Sequence, residues 1–316
     1  MKDNFRDLKN KIKRRKIGLI GYGSIGKRHY KNLREIFSSI TVYDPKFKEK
    51  KKLKEIYKNC EDIFICSPLS SHENYLEQAM KLKKNIFIEK PFILNTKKFE
   101  KSVNNYHNKR KVIYVGFNLR FRNIIEFIKK QISNNTLGKI YWSKFLMSSY
   151  LPNWRNNYNI HKSYANSKKN GGVLLDSIHE LDLSEFFFGP SKLKSYYLEN
   201  MKILNIKSDE YANITLKHKS GTISNIQLDY INKNNKRLIT ICGSKKYLEA
   251  DIIKGVLTIH DKKKNTKKFI IDRNDEYKKE IIDFYKLIIL KRKNKSLKSN
   301  LNIHSIANRI KRSLKN

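Results

Sequence analysis

The chain has 316 residues, 39% of them hydrophobic, and a formal charge of +40 from 69 Lys+Arg against 29 Asp+Glu. Its length exceeds one domain of roughly 100–200 residues and predicts two, and aromatics spread along the whole chain exclude a largely disordered protein. Lysine stands beside Asn, Ile and Tyr in nearly every segment, so the charge reads as composition, and no specific nucleic-acid partner is expected.

Residues 1–14 are read as a basic, solvated extension; a surface helix touching acidic lipid is the alternative. No apolar run backs these basic residues and no stretch of roughly 18 apolar residues follows, so neither export nor a membrane span is expected. The three cysteines Cys60, Cys66 and Cys242 form no CxxC pair and the eight histidines make no zinc-like group with them, which points to a reducing cytoplasm and no metal.

From Lys16 short apolar runs alternate with amphipathic stretches, the pattern of a parallel sheet with crossover helices. Strands are predicted at residues 17–20, 40–43, 62–66, 86–88 and 112–115. A helix over 25–37 carries Ile25, Leu33, Ile36 and Phe37 on one face. Ser70-Ser71-His72-Glu73 reads as a capping box opening another helix, with Ser70 as the cap. The pattern changes after about Asn118, which places a first domain at 15–118 and a second at 119–316. The second is expected to hold a helix at 124–132, an extended run at 140–150 and a helix at 173–188 stopped by Gly189-Pro190. Strands follow at 209–217, 222–230, 237–242, 256–260 and 268–271, the first two joined at Ser220-Gly221, then a helix at 276–290. That half reads as an antiparallel sheet with helices on one face.

Gly21-Tyr22-Gly23-Ser24-Ile25-Gly26 spells G-x-G-x-x-G between the strand RKIGLI and an amphipathic helix, and Asp44 ends the next strand 18 residues after Gly26. In that context the motif predicts a dinucleotide site. Gly21 permits the tight turn, Gly23 the close approach of backbone to pyrophosphate, and Gly26 close helix–strand packing. Ser24 and Ile25 open a helix whose free N–H groups and positive dipole end suit phosphate. Asp44 is expected to accept from both adenosine ribose hydroxyls, which favours NAD. Lys46, Lys48 and Lys50 stand close enough in sequence to offset the repulsion of a 2′-phosphate, so NADP stays open.

Two further segments follow predicted strands, where ligands bind in an open parallel sheet: Cys66-Ser67-Pro68-Leu69-Ser70-Ser71-His72 and Phe87-Ile88-Glu89-Lys90-Pro91. Ser67, Pro68, His72, Glu89 and Lys90 are therefore assigned to the cofactor side. Pro91 is expected to hold Lys90 extended at the crevice.

In this order the segments resemble the glucose-fructose oxidoreductase / inositol dehydrogenase (Gfo/Idh/MocA) family, from Lys16 almost to the C-terminus. The matching stretches are GYGSIGKRH, ICSPLSSH, IEKP, VGFNLRF at 115–121 and GGVLLDSIHELD at 171–182. Tyr150-Leu151-Pro152-Asn153-Trp154-Arg155, Ser163-Tyr164 and Gly171-Gly172 further resemble a bacterial branch associated with cell-surface polysaccharide biosynthesis. The resemblance implies an α/β fold: a Rossmann-type doubly wound parallel sheet plus a C-terminal α+β domain with an open antiparallel sheet. Substrate would lie between nicotinamide and that sheet, and relatives commonly form homo-oligomers through the exposed sheet face.

The roles implied are Lys90 hydrogen-bonding the reacting oxygen, His179 as general acid/base and Asp176 as the assisting acid. Hydride leaves a carbinol carbon as its hydroxyl proton is removed, so a base near neutral pKa and a cationic donor both serve. Many members read D-x-x-x-H where this chain reads D-x-x-H from Asp176 to His179. On one helix that spacing still brings the pair together, and Asp182, three residues past His179, competes as partner. Asn118, Arg120, Arg155 and Tyr164 join His179 as candidate contacts to substrate or nicotinamide ribose, an arginine suiting carboxylate or phosphate. The activity expected is hydride transfer at a secondary alcohol or ketone of a sugar, sugar acid or nucleotide sugar. Its rivals are a redox-neutral sugar-modifying enzyme that keeps its NAD, a non-catalytic NAD-binding sensor or scaffold, and a nucleic-acid binder.

Overall fold

A computed structural model describes residues 12–47, 49–107, 111–155 and 159–314. Most of the basic extension, and Lys48, lie outside the described residues. The chain forms two compact units, residues 1–118 with 274–300, and residues 119–273 with 301–316.

In the first unit β1 (Lys16–Ile20), β2 (Ser39–Tyr43), β3 (Asp62–Ile65), β4 (Asn85–Glu89) and β5 (Ile113–Gly116) form one sheet in the order β2-β1-β3-β4-β5. Every pair is parallel. Ile17, Leu19, Ile63, Phe64, Ile65, Ile86, Phe87 and Ile88 are wholly buried, as expected of short apolar strands covered on both faces. The crossover helices are α1 (Ser24–Arg34), α2 (Lys50–Asn59), α3 (Leu69–Lys81) and α4 (Thr96–His107). Because the strands run parallel, their carboxyl ends share one edge of the sheet.

The predicted capping box does not form. Pro68 stands as an extended N-cap before Leu69, with no side-chain cap. Glu73 instead accepts from the Leu94 and Asn95 amides at 3.2 and 2.8 Å, and Ser71 Oγ donates to the Pro68 carbonyl at 2.8 Å. A loop following β4 thus captured the carboxylate that local sequence assigned to the helix's own end.

Helix α8 (Arg273–Ile289), anticipated at 276–290 in the second domain, belongs to the first unit. Its Tyr277, Ile281, Phe284 and Tyr285 are buried, and Phe284 meets Phe64 and Phe87 edge-on at 5.6 and 5.9 Å. Ile12, at the end of the predicted solvated extension, is buried as well, and Arg15 pairs with Asp62 at 2.6 Å.

The second unit is built on an eight-stranded sheet in the order β13-β12-β11-β10-β6-β9-β8-β7. The strands are β6 (Ile140–Ser148), β7 (Ser191–Glu199), β8 (Tyr211–His218), β9 (Ile223–Asp229), β10 (Lys236–Gly243), β11 (Tyr247–Asp251), β12 (Val256–His260) and β13 (Lys264–Lys268). Neighbours are antiparallel except β6 and β9. That parallel pair, like β7 and β11, is absent from the sequence reading, and the last strand lies at 264–268 instead of 268–271. Edge strands β7 and β13 are largely exposed, so they lack the apolar alternation that marks a half-buried strand. Gly221, at φ +89°, turns the anticipated hairpin between β8 and β9.

Helices α5 (Asn123–Ser133), α6 (Val173–Asp176) and α7 (His179–Phe188) belong to this unit, α7 packing on β6 and β9. The single helix predicted over 173–188 is broken at Ser177–Ile178. Helix α7 is buried nearly all round, the mark of a core helix. A final helix, α9 (Ser296–Lys311), was not anticipated. Among the described residues no helix is long and apolar enough to cross a membrane, and no group of three or more His, Cys, Asp or Glu could hold a metal ion.

Candidate active site

Gly21, Asp44 and Lys90 directly follow β1, β2 and β4, and Ser67 stands two residues past β3. Strand β1 lies between β2 and β3, so the connections diverge there, the point at which an open α/β sheet leaves a crevice.

The three glycines serve different ends. Gly21 has φ +96°, and a Cβ on it would sit 2.6 Å from the Cys66 carbonyl carbon and the Ser67 nitrogen. A Cβ on Gly26 would sit 2.0 Å from the Gly21 oxygen. Gly23, with φ −74°, would meet nothing within 4 Å. The fold therefore needs glycine at 21 and 26 but not at 23, and the open space beside Gly23 fits a pyrophosphate brought against the backbone. Helix α1 begins there without a side-chain cap, so its first N–H groups remain available to an anion.

Asp44 is oriented by the turn it serves: Oδ2 accepts from the Tyr22 amide at 2.7 Å and Oδ1 from the Lys46 amide at 3.0 Å. A carboxylate offers about four acceptor positions, so two bonds fix its aim and leave capacity for ribose hydroxyls. The Tyr22 ring is itself held edge-on by Tyr30 and Phe47, at 5.6 and 5.8 Å.

Two residues assigned to the cofactor side have other duties. His72 is buried, with Nδ1 3.1 Å from the Phe92 carbonyl and Nε2 2.8 Å from the Ser67 carbonyl. It staples the loop after β3 to the segment after Lys90, and burial pushes its pKa below the ordinary histidine value despite those carbonyls. Glu89 is buried with Oε1 2.6 Å from His29 Nε2, while Oε2 accepts the Lys90 amide at 3.2 Å. Pro68 is the extended cap of α3, and Ser67 Oγ lies 2.8 Å from Ser71 Oγ. Lys90 is half-buried, and its peptide bond to Pro91 is cis.

In the second unit Asp209 organises the GGVLLD segment. Its carbonyl accepts from the Val173 amide at 3.0 Å and its Oδ2 from the Leu174 amide at 2.9 Å. Its Oδ1 pairs with Lys311 on α9, which also donates to the Gly171 carbonyl at 2.9 Å. Gly172, at φ +97°, is where the carboxylate presses in, since a Cβ there would sit 2.1 Å from Asp209 Oδ1. Four residues on, buried Asp176 accepts from the Tyr230 hydroxyl, and Trp154 stands edge-on to Tyr230 at 5.4 Å. Burial first, and then the charge of Asp176, push the Tyr230 pKa well above that of a free tyrosine, so the hydroxyl keeps its proton and donates. His179 is buried at the start of α7.

Asp182, the competing acid, is clamped by Arg120 through both carboxylate oxygens, Nε reaching Oδ2 at 2.7 Å. Burial pushes its pKa above the ordinary carboxylate value in spite of the arginine. Arg120, assigned to substrate, also lies over the Phe186 ring, 5.2 Å from its centroid. Asn118, assigned likewise, is buried and donates to Glu276 Oε2 at 2.9 Å, tethering α8. Arg155 and Tyr164 are exposed on the second unit. Sequence reasoning gave no role to His29, Asp209, Tyr230 and Lys311, although His29 closes the GYGSIGKRH stretch and Tyr230 closes a predicted strand.

Residues 15–117 match the oxidoreductase family, NAD-binding Rossmann fold, and residues 129–308 match the oxidoreductase family, C-terminal alpha/beta domain. The chain is 24% identical over 306 residues to myo-inositol 2-dehydrogenase of Thermotoga maritima, covering 86% of this chain and 87% of that protein. In fold it is similar to levoglucosan dehydrogenase in complex with NADH and L-sorbose, with TM-score 0.83, 16% identity, and 96% and 97% of the two chains covered. UDP-N-acetylglucosamine 3-dehydrogenase from Acidithiobacillus ferrooxidans superposes with TM-score 0.76 at 17% identity, over 96% and 99% of the chains. With both matched regions in sequence, the glycine turn and the two-unit architecture in agreement, the chain belongs to the Gfo/Idh/MocA family and is an NAD-dependent oxidoreductase.

Proposed function

We propose that this enzyme moves a hydride between nicotinamide and a secondary alcohol or ketone carbon of a sugar or polyol. The observation that carries the reading is the position of Lys90, which follows β4 on the sheet edge shared by the glycine turn and Asp44. Bound NAD supplies the hydride acceptor. The Lys90 ammonium donates to the substrate oxygen, and His179 accepts the proton that the hydroxyl gives up. Asp176, steadied by Tyr230, assists His179. Arg155 and Tyr164, both exposed on the second unit, supply substrate contacts.

A nucleotide sugar in cell-surface glycan biosynthesis is the substrate class we favour, supported by the Tyr150–Arg155 stretch and by the likeness to a UDP-sugar dehydrogenase. Unpaired Cys60, Cys66 and Cys242 support a reducing cytoplasm. Exposed Trp142 and Ile223, adjacent across β6 and β9, support self-association through the sheet.

The test is NADH formation on a panel of myo-inositol, levoglucosan and UDP-N-acetylglucosamine, with Lys90→Ala, His179→Ala and the double variant. Each single change is expected to lower turnover by roughly 10²–10⁴, and the pair by much less than the product. Near-normal turnover without His179 moves the base elsewhere. Substrate consumption without net NADH makes the enzyme redox-neutral instead.

A further inference from the structure

His29 has no part in the chemistry assigned so far, yet it is wholly buried on α1, three residues past Gly26. Its ring lies 5.1 Å from Phe87, 5.6 Å from Tyr277 and 6.0 Å from Phe64, so β4, α8 and β3 hold it in place. Among the described residues its Nδ1 is buried with no hydrogen-bond partner. An interior ring nitrogen without a partner is unfavourable, and an apolar ring would fill the same space without that penalty. Packing therefore does not explain a histidine here; the 2.6 Å contact of Nε2 with Glu89 does.

Glu89 is held on more than one side. Oε1 faces His29, Oε2 accepts the Lys90 amide at 3.2 Å, and a Cβ on Gly116 would come within 3.3 Å of the carboxyl carbon. The helix whose first turn borders Gly23 thus reaches, through His29, the carboxylate that fixes the backbone of Lys90.

We propose that His29 and Glu89 are positioning residues that lock helix α1 to the Lys90 turn, so that the phosphate cradle and the aim of the Lys90 ammonium form one rigid unit. The proposal rests on the assignment of Lys90 to the reaction given above. Misplacing a reacting group by about 1 Å costs up to about 10²-fold in rate, so such a lock is worth keeping even where it leaves a ring nitrogen unsatisfied.

Glu89→Gln keeps the shape but not the bonding. Its single carbonyl oxygen can satisfy either His29 or the Lys90 amide, and the amide nitrogen then faces a donor unless His29 moves its proton to the buried Nδ1. His29→Phe deletes the bond, whereas His29→Gln restores an N–H donor toward Glu89. The full chain and these variants are compared by thermal melting, by NADH fluorescence titration, and by the rate at which trinitrobenzenesulfonate labels Lys90, read by peptide mass spectrometry. Turnover is measured on whichever panel sugar is active.

For Glu89→Gln and His29→Phe we expect about tenfold lower kcat and an about threefold or larger change in Lys90 labelling, with NADH affinity changed less than about threefold; His29→Gln should recover both. A folded Glu89→Gln protein with labelling and kcat within about twofold of the parent overturns the proposal, as does a loss confined to NADH affinity. If His29→Phe does not fold, Glu89→Gln and His29→Gln decide. Normal turnover in Lys90→Ala together with altered labelling in Glu89→Gln would remove Lys90 from the reaction and leave the positioning intact. Loss of turnover in Lys90→Ala with an unaffected Glu89→Gln would do the reverse.

Discussion

The Tyr230 hydroxyl donates to Asp176 inside the second unit, so the acid expected to assist His179 already has a buried partner. Tyr230→Phe keeps the ring against Trp154 and removes the donor. We expect a folded protein destabilised by about 1–3 kcal/mol, the usual cost of stranding a buried acceptor. Because the carboxylate then loses support, the acid limb of the kcat/KM profile should move to higher pH. An unchanged profile would separate Asp176 from the proton transfer.

Gly23→Val and Gly26→Ala should fail in opposite ways. Gly23 has open space where a side chain would stand, so its valine variant should melt like the parent and lose NADH in a fluorescence titration. Gly26→Ala drives a methyl to 2.0 Å from the Gly21 oxygen and should cost stability, about 1–3 kcal/mol as for other overpacked sites. Retained NADH binding in Gly23→Val would refute the pyrophosphate assignment.

Asp44→Ala removes the acceptor that orients the Tyr22 and Lys46 amides as well as the one offered to ribose. NAD affinity should fall and its advantage over NADP narrow, as read by parallel titrations of NADH and NADPH. An unaltered ratio would mean that Asp44 does not choose the cofactor.

Lys311→Met leaves the Asp209 carboxylate buried without its cation, since the two side chains are 7% and 0% exposed. Removing one partner of such a pair costs about 3–5 kcal/mol. The segment from Gly171 to Asp176 hangs on this pair, so kcat should drop while NADH affinity holds. The double variant with Asp209→Asn should recover part of the stability, and no recovery would show that the charge is not the cause.

Stability should decline at both ends of the pH scale. Burial lowers the pKa of His72 and His218 below the free value of 6.5, so the unfolded chain takes up protons first. Their contribution is full above that value and is lost as pH falls through the lowered folded pKa. Burial raises Tyr230 and Tyr285 above 10.0, so their contribution is full below that value and is lost as pH rises through the raised one. Denaturant melts across the range should show a plateau between the two limbs, and His72→Asn should shallow the acid limb. A flat profile below 6.5 would exclude the histidines as its source.

Local order in the chain was enough to read the five strands of the first unit and the glycine turn that opens helix α1. A strand, a glycine turn and a helix are each set by residues within a few positions of one another, and so are apolar periodicity and a turn at Gly221. The carboxyl-end positions of Gly21, Asp44, Ser67 and Lys90 follow from that order alone, because parallel strands must present their ends on one edge. What no local pattern contains is which charge meets which. Glu73 was captured by the amides of Leu94 and Asn95, Glu89 by His29, Asp182 by Arg120 and Asp209 by Lys311, partners up to 102 residues apart. Helix α8 returned to the first unit because its aromatics complete a core formed by strands far earlier in the chain. A buried polar group must find a partner wherever the packed chain brings one, and that choice is made only when the distant segments close on each other.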